Sequence, residues 1–295
     1  MSVGASSLLV ATLGVITPFF LGWGVGAWLL PDSSMWVHIF LGATLCATSV
    51  GITARVLKDL GKIQLRESKI VLGAAVIDDV MGLIVLAVVA GLITSANSGA
   101  GLAPLNVIWI IAKAVLFLAG AVFIGQWGSP RVFNLASKMR GQHLLLTFSL
   151  MILFLFSFVA NKIGLATIVG AFAAGLILDP LHYKELKERE EHTIEELLHP
   201  ISGFMVPIFV VYMGYKVDLS YFADTKILAL AGALTLAAIL SKQVCSLGVL
   251  EKGLDKLSVG IGMIPRGEVG LIFASIGAGL MIGGQPVIGD ATFGA

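Results

Sequence analysis

The chain has 295 residues, of which 57% are hydrophobic and 13% charged, with a mean hydropathy of +0.97. A soluble domain carries nearer ~25% charged residues, so soluble enzymes, nucleic-acid-binding modules and disordered regulators are set aside, and the chain reads as a polytopic membrane protein. Lys and Arg number 19 against 18 Asp and Glu, which leaves no basic footprint for nucleic acid. Cys46 and Cys245 lie in separate apolar runs without metal-ligand spacing and read as small apolar fillers. No Lys or Arg precedes the first apolar run, which therefore reads as a membrane segment rather than a signal peptide.

A bilayer core of ~30 Å needs ~20 helical residues per crossing. Nine runs meet that expectation, near 4–30, 36–56, 69–95, 104–128, 143–161, 164–181, 197–216, 226–249 and 257–283. Period-two alternation is absent, so the fold is expected to be all-α and not a barrel. The breaks after runs two, four, six and eight hold thirteen Lys and Arg, and the alternate breaks hold only Lys162, Lys216 and Lys226. By the positive-inside rule the even-numbered loops face the cytoplasm. The remaining cations, Lys113, Lys242 and Arg266, fall inside predicted spans. The charged segment 184–196 is expected to form a solvated surface helix.

Charge at membrane depth costs at least ~2.5 kcal/mol on insertion scales, so each instance needs a partner, a wet cavity or a function. Of eighteen acids, fourteen lie in breaks, at run ends or in the tail, and Asp179 lies near a cytoplasmic edge. The other three are Asp78, Asp79 and Glu268. Asp78 and Asp79 stand mid-run in VLGAAVIDDVMGLIVLAV. Successive helical positions point about 100° apart, so the two carboxylates are expected to have separate partners. Lys242, in LTLAAILSKQVCSLGVL, is read as mid-span, with Asp78 or Asp79 as its counter-charge across the bundle.

Two runs are too interrupted for simple helices. The second, LGATLCATSVGITARVL, contains Thr44, Thr48, Ser49, Gly51 and Thr53. The ninth, VGIGMIPRGEVGLIFASIG, contains Pro265, Arg266, Gly267 and Glu268 in succession. Proline removes a donor and glycine loosens the backbone, and irregular backbone at this depth must be buried or line a cavity. Seven crossings separate the two runs, so they traverse in opposite directions, as expected of an inverted repeat whose broken helices meet at a midplane ion site. Arg266 and Glu268 are expected to balance the charge there.

With TSVGITARVL, GAAVIDDVMGL, IVGAFAAGLIL, AAILSKQ and GMIPRGEVGLI in this order, the sequence resembles the second branch of the monovalent cation:proton antiporter superfamily, the sodium/proton exchanger-like proteins. The resemblance extends over essentially the whole chain. It implies an inverted-repeat, elevator-type fold, with residues 1–95 and 226–295 forming the ion-translocation core and 104–216 a linker helix and dimerisation scaffold. It further implies that Asp79 is the cation ligand and proton carrier, that Asp78 pairs with Lys242, and that Thr48 and Ser49 line the site. A homodimer in a prokaryotic inner membrane is expected, with no cofactor beyond the transported Na+ or K+ and protons. Family members have about a dozen or more helices, so the chain is expected to lack the first few and the last, and not to transport alone.

The expected activity is exchange of Na+, with K+ as the lesser candidate, for protons, electrogenic if Lys242 also gives up its proton. Two rivals differ in class. A membrane-embedded aspartate-dependent enzyme would need a second acidic cluster or a D-D-x-x-D motif, and Asp79 is followed by Val80, Met81 and Gly82. A non-transporting sensor would need a soluble regulatory domain.

Overall fold

The computed structural model describes residues 3–97, 104–139, 141, 143–178, 180, 183, 184, 186, 188, 192–282 and 284–294. The helices are α1 (Val3–Leu29), α2 (Met35–Thr44), α3 (Val50–Asp59), α4 (Arg66–Asn97), α5 (Pro104–Ser137), α6 (Leu144–Lys162) and α7 (Thr167–Ile177). They continue with α8 (Ile194–Lys216), α9 (Thr225–Val244), α10 (Lys256–Gly262), α11 (Glu268–Gly279) and α12 (Asp290–Gly294). Short 3-10 turns occupy Leu219–Ala223 and Cys245–Gly248, and β1 (Met281–Ile282) pairs antiparallel with β2 (Gln285–Pro286). This small hairpin departs from the all-α expectation, in a tail where Gly284 at φ +84° makes the turn.

Among the described residues, six helices are long and apolar enough to cross a membrane: α1, α4, α5, α6, α8 and α9 with its 3-10 extension. The other three expected runs contain shorter apolar helices, α2, α7 and α11. Runs two and nine break where their Thr/Ser/Gly and Pro-Arg-Gly-Glu interruptions stand, giving α2/α3 and α10/α11. Run six differs from expectation: α7 has 11 residues, or ~16 Å of helix, less than a crossing. Asp179, near its end, lies outside the described residues. Run four also differs, because α5 continues to Ser137 through Pro130.

The capping residues explain several helix starts. Ser49 accepts from the Ile52 N–H and begins α3, and Asp224 accepts from the Lys226 N–H and begins α9. Asp255 begins α10, and hydrogen bonds from Ser258 and the Leu257 N–H hold its carboxyl below the usual aspartate range. Thr193 and Glu196 form a reciprocal capping box, with Thr193 N–H to Glu196 Oε2 at 2.8 Å and Glu196 N–H to Thr193 Oγ1 at 3.2 Å. The solvated-helix expectation for 184–196 meets this box at its end and a Lys184–Glu188 ion pair before it. Leu186 is buried there, and 185, 187 and 189–191 lie outside the described residues.

The chain divides into two compact units. The first comprises Met1–Val89, Ile93–Gly101 and Met213–Ala295, and the second Ala90–Leu92 and Leu102–Tyr212. The first has a core of Val10 and Ala11 from α1, Ile70, Val71 and Ala74 from α4, and Cys245, Val249, Val259 and Met263. Cys46 and Cys245 are buried free thiols, as their apolar surroundings required.

The second unit is built around Phe133 and Ala136 of α5, Leu145 and Ile152 of α6, Ala174 and Ile177 of α7, and Tyr183, Leu186 and Ile194. The inward stripe of α5 runs Ala114, Leu118, Ala121, Gly125, Ser129, Phe133 and Ala136, a period close to 3.6. In α7, Gly170 lies against the backbone of α6, where an added Cβ would come within 2.6 Å of Ser157 Cα. Replacing Gly170 by Ala is therefore expected to cost ~1–3 kcal/mol through overpacking. Gly175→Ala, on the open side of α7, should be neutral or stabilising by ~0.5–1 kcal/mol. Thermal unfolding of the two variants in detergent checks the contrast.

Candidate ion site

The first unit holds the predicted intramembrane charges except Lys113, which lies on α5 of the second unit, and it brings Asp78 and Lys242 into contact. Lys242 stands in the last turn of α9 rather than mid-helix, because the α-helix ends at Val244 and tightens into the 3-10 turn. A cation is favoured at that end of a helix. Its side chain is fully buried, which removes the option of reaching an interface along its stem. The ammonium lies 3.4 Å from both carboxylate oxygens of Asp78, 2.6 Å from the Gly14 carbonyl and 2.9 Å from the Cys46 carbonyl. Asp78 is 1% exposed, so the pair is wholly removed from solvent.

Both carbonyl acceptors exist because a helix is interrupted. Pro18 lies inside α1 and has no N–H, so the Gly14 carbonyl, four residues earlier, loses its usual donor. Lys242 supplies the missing bond. Gly14 also admits the pair: a Cβ there would lie 3.3 Å from Asp78 Oδ1 and from Lys242 Nζ. Cys46 sits in the gap between α2 and α3, where carbonyls have no helical partner.

The same gap meets the break between α10 and α11. The Ser49 N–H donates to the Pro265 carbonyl at 2.9 Å, and Thr53 Oγ1 donates to the Gly262 carbonyl at 3.0 Å. Arg266 Nη1 donates to the carbonyls of Leu45 and Ala47. Carbonyls 45 and 47 are thus taken by one cation and carbonyl 46 by another. Among the described residues no ion pair joins Arg266 to Glu268, because the guanidinium is drawn to the opposite break. Its Nε and Nη2 remain buried without a hydrogen-bond partner among the described residues.

Asp79 and Asp78 take separate surroundings, as their angular offset required. Asp79 is partly buried, and its carboxylate has no ion pair or hydrogen bond among the described residues. Charges acting on it come from Asp78, Glu268 and Lys242. Glu268, in the first turn of α11, is exposed. The Thr48 hydroxyl is 1% exposed, lies close enough to act on Asp78, and has no hydrogen bond of ordinary geometry. Ser49 is engaged as the α3 cap. A cavity of about 450 Å³ touches Thr53, Gly262 and Pro265 and carries Lys62, Glu67 and Asp255 among its lining, but reaches neither Asp78 nor Asp79.

Sequence reasoning missed Gly14, Pro18 and the Cys46 carbonyl. The available signal was Pro18 itself, a proline inside an apolar run with glycine four residues before it. The arrangement holds a cationic side chain in a ring of oxygens beside a carboxylate that has no partner among the described residues.

Residues 1–294 match the model of the family described as sodium/hydrogen exchanger, transmembrane. The chain belongs to this family. It is thereby an integral membrane protein of a transporter family, and the enzyme reading falls. It is 40% identical over 282 residues to the high-affinity Na+/H+ antiporter NhaS3 of Synechocystis sp., covering 94% of this chain and 59% of that protein. It is 38% identical over 277 residues to the Na+/H+-K+ antiporter GerN of Bacillus cereus, covering 92% of this chain and 67% of that protein. A Na+/H+ antiporter of Enterococcus hirae is 31% identical over 275 residues, covering 92% of this chain and 68% of that protein. The chain thus spans about three-fifths to two-thirds of the length of these relatives.

The ion pair carries a stability prediction. Removing one member leaves a buried charge uncompensated, at ~3–5 kcal/mol, whereas neutralising both recovers much of that. Asp78→Asn and Lys242→Met should each lower the unfolding midpoint in detergent, and the double variant should lie well above both. A double variant whose loss equals the sum of the two single losses would show that the pair is not coupled.

Proposed function

We propose that this exchanger-family chain is the ion-handling part of a monovalent cation/proton antiporter in a prokaryotic inner membrane, with its even-numbered loops in the cytoplasm. The observation that carries the reading is the contrast between neighbouring carboxylates: Asp78 is sealed against Lys242, while Asp79, one residue on, is only partly buried and has no partner among the described residues. Asp79 is the group left to hold either a desolvated cation or a proton, and competition for it enforces exchange. Na+ is the favoured cargo, in keeping with the names of the relatives, and K+ the second, in keeping with the name of GerN.

Asp78 and Lys242 couple the cycle to charge. If a cation draws Asp78 away from Lys242, the lysine loses its counter-ion in a dry site and releases its proton. Two protons then move against one cation, and transport is electrogenic. Thr48 and Ser49 line this site, and Arg266 and Glu268 set its local charge.

In this reading runs two and nine are the broken helices of an inverted repeat, within a plan of nine crossings. Residues 1–95 and 226–295 form the mobile core of an elevator, and 104–216 form the linker and the scaffold of a homodimer. The mutual satisfaction of α2/α3 and α10/α11 supports a core that moves as one piece.

Asp79→Asn is the decisive variant. An amide cannot exchange a proton, so membrane vesicles carrying it should show Na+-induced dissipation of a pH gradient at background level, with the protein still eluting as a folded species. Exchange near the wild-type rate would remove Asp79 from this role.

A further inference from the structure

Helix α5, in the second unit, carries two features that cation exchange does not use. Lys113 Nζ lies 5.8 Å from the centroid of the Trp109 ring, and the Arg131 guanidinium lies 3.7 Å from that of Trp127. Each cation follows its tryptophan by four residues, one helical turn. The two tryptophans are 18 residues apart, about 27 Å of helix, close to the hydrocarbon thickness of a bilayer. No charged residue lies between Lys113 and Arg131, and the outward side of that stretch presents Val115, Leu116, Phe123 and Ile124. Tryptophan and snorkelling cations are the side chains that suit a membrane interface. Lys113 therefore marks one interface rather than the bilayer centre, which removes one of the three unexplained intramembrane cations.

The Arg131 end has more. Arg131, Asn134, Leu135 and Lys138 follow at helical spacing on one face, and with Pro130 they line a shallow surface concavity of about 510 Å³. Arg131, Asn134 and Lys138 are exposed, and among the described residues neither cation forms an ion pair. Arg131 is held in place by its stack on Trp127 and by Nη1 donating to the Trp127 carbonyl at 2.5 Å. Directly towards the bilayer lie Trp127, Ile124 and Phe123, 66%, 61% and 79% exposed. One fixed positive charge, a second exposed one and an amide thus stand above an apolar strip at the depth where a phosphodiester meets its acyl chains.

We propose that this face of α5 is a binding site for an anionic phospholipid, the headgroup phosphate held by Arg131 and Lys138 with Asn134 beside it, and the acyl chains lying along Trp127, Ile124 and Phe123. Arginine stacked on an aromatic ring keeps its remaining donors aimed outward, which favours bidentate phosphate contact over the diffuse attraction of a lone surface charge.

Native mass spectrometry of the purified 295-residue chain, titrated with phosphatidylglycerol or with phosphatidylcholine of the same acyl chains, tests the site. The wild type should retain phosphatidylglycerol in preference. Each cation near an anionic lipid contributes roughly fivefold, so Arg131→Gln/Lys138→Gln should weaken phosphatidylglycerol binding about 25-fold and leave phosphatidylcholine unchanged. Lys138→Glu alone, at an exposed position, should weaken it by at least the single factor, and Arg131→Lys should recover only part of the loss seen with Arg131→Gln, because an ammonium keeps the charge but not the stacked fork of donors. Excess inorganic phosphate should not displace the lipid. Equal retention of the two lipids, displacement by inorganic phosphate, or an equal loss from Lys58→Gln/Lys62→Gln, a second pair of exposed cations, would overturn the proposal.

Discussion

An ammonium ion buried in an apolar bundle is the constraint from which the rest of this structure follows. Lys242 has three protons to place and no water to place them in, so the fold must bring it oxygen from elsewhere in the chain. Three elements do so: α4 supplies the Asp78 carboxylate, α1 the Gly14 carbonyl and the α2/α3 gap the Cys46 carbonyl. Desolvating both charges would outweigh their mutual attraction if the pair stood alone. The two carbonyl bonds supply the further satisfaction that a buried pair requires, and each carbonyl is available only because regular helix has been given up nearby.

The interrupted helices satisfy one another by the same rule. A break at membrane depth exposes donors and acceptors that lipid cannot serve. Here the acceptors of one gap are taken by Arg266 and Lys242, and the Ser49 amide is taken by Pro265 of the other. The two positive side chains sit where the C-terminal end of α2 presents its negative pole. Charge and broken backbone thus belong to a single arrangement, and neither is stable at this depth without the other.

Much of this was legible in the sequence because lipid makes anomalies conspicuous. A carboxylate, an ammonium or a P-R-G-E string in a hydrophobic run stands out by residue type, and Asp78, Asp79, Lys242 and Arg266 do gather in one unit. The partners that were missed are main-chain oxygens. The carbonyls of Gly14, Leu45, Cys46 and Ala47 carry no signature in the one-letter code, and only Pro18 hinted at one of them. The partners of Arg266 were illegible for the same reason, since its neighbour Glu268 is visible as a letter and the carbonyls opposite are not. Run boundaries shifted where apolar composition did not coincide with helix: α5 runs past its apolar stretch into an interfacial turn, and α7 stops short within one.

The bond between Lys242 and Gly14 also has a consequence for biosynthesis. Its two ends are separated by 228 residues, so at ~5–20 residues per second roughly 10–45 s pass between the emergence of Gly14 and that of Lys242 from the ribosome. Throughout that interval α1 holds an acceptor that its own helix cannot satisfy, because Pro18 has removed the donor. Helix α1 is therefore made early and completed late, and it is α9 that completes it.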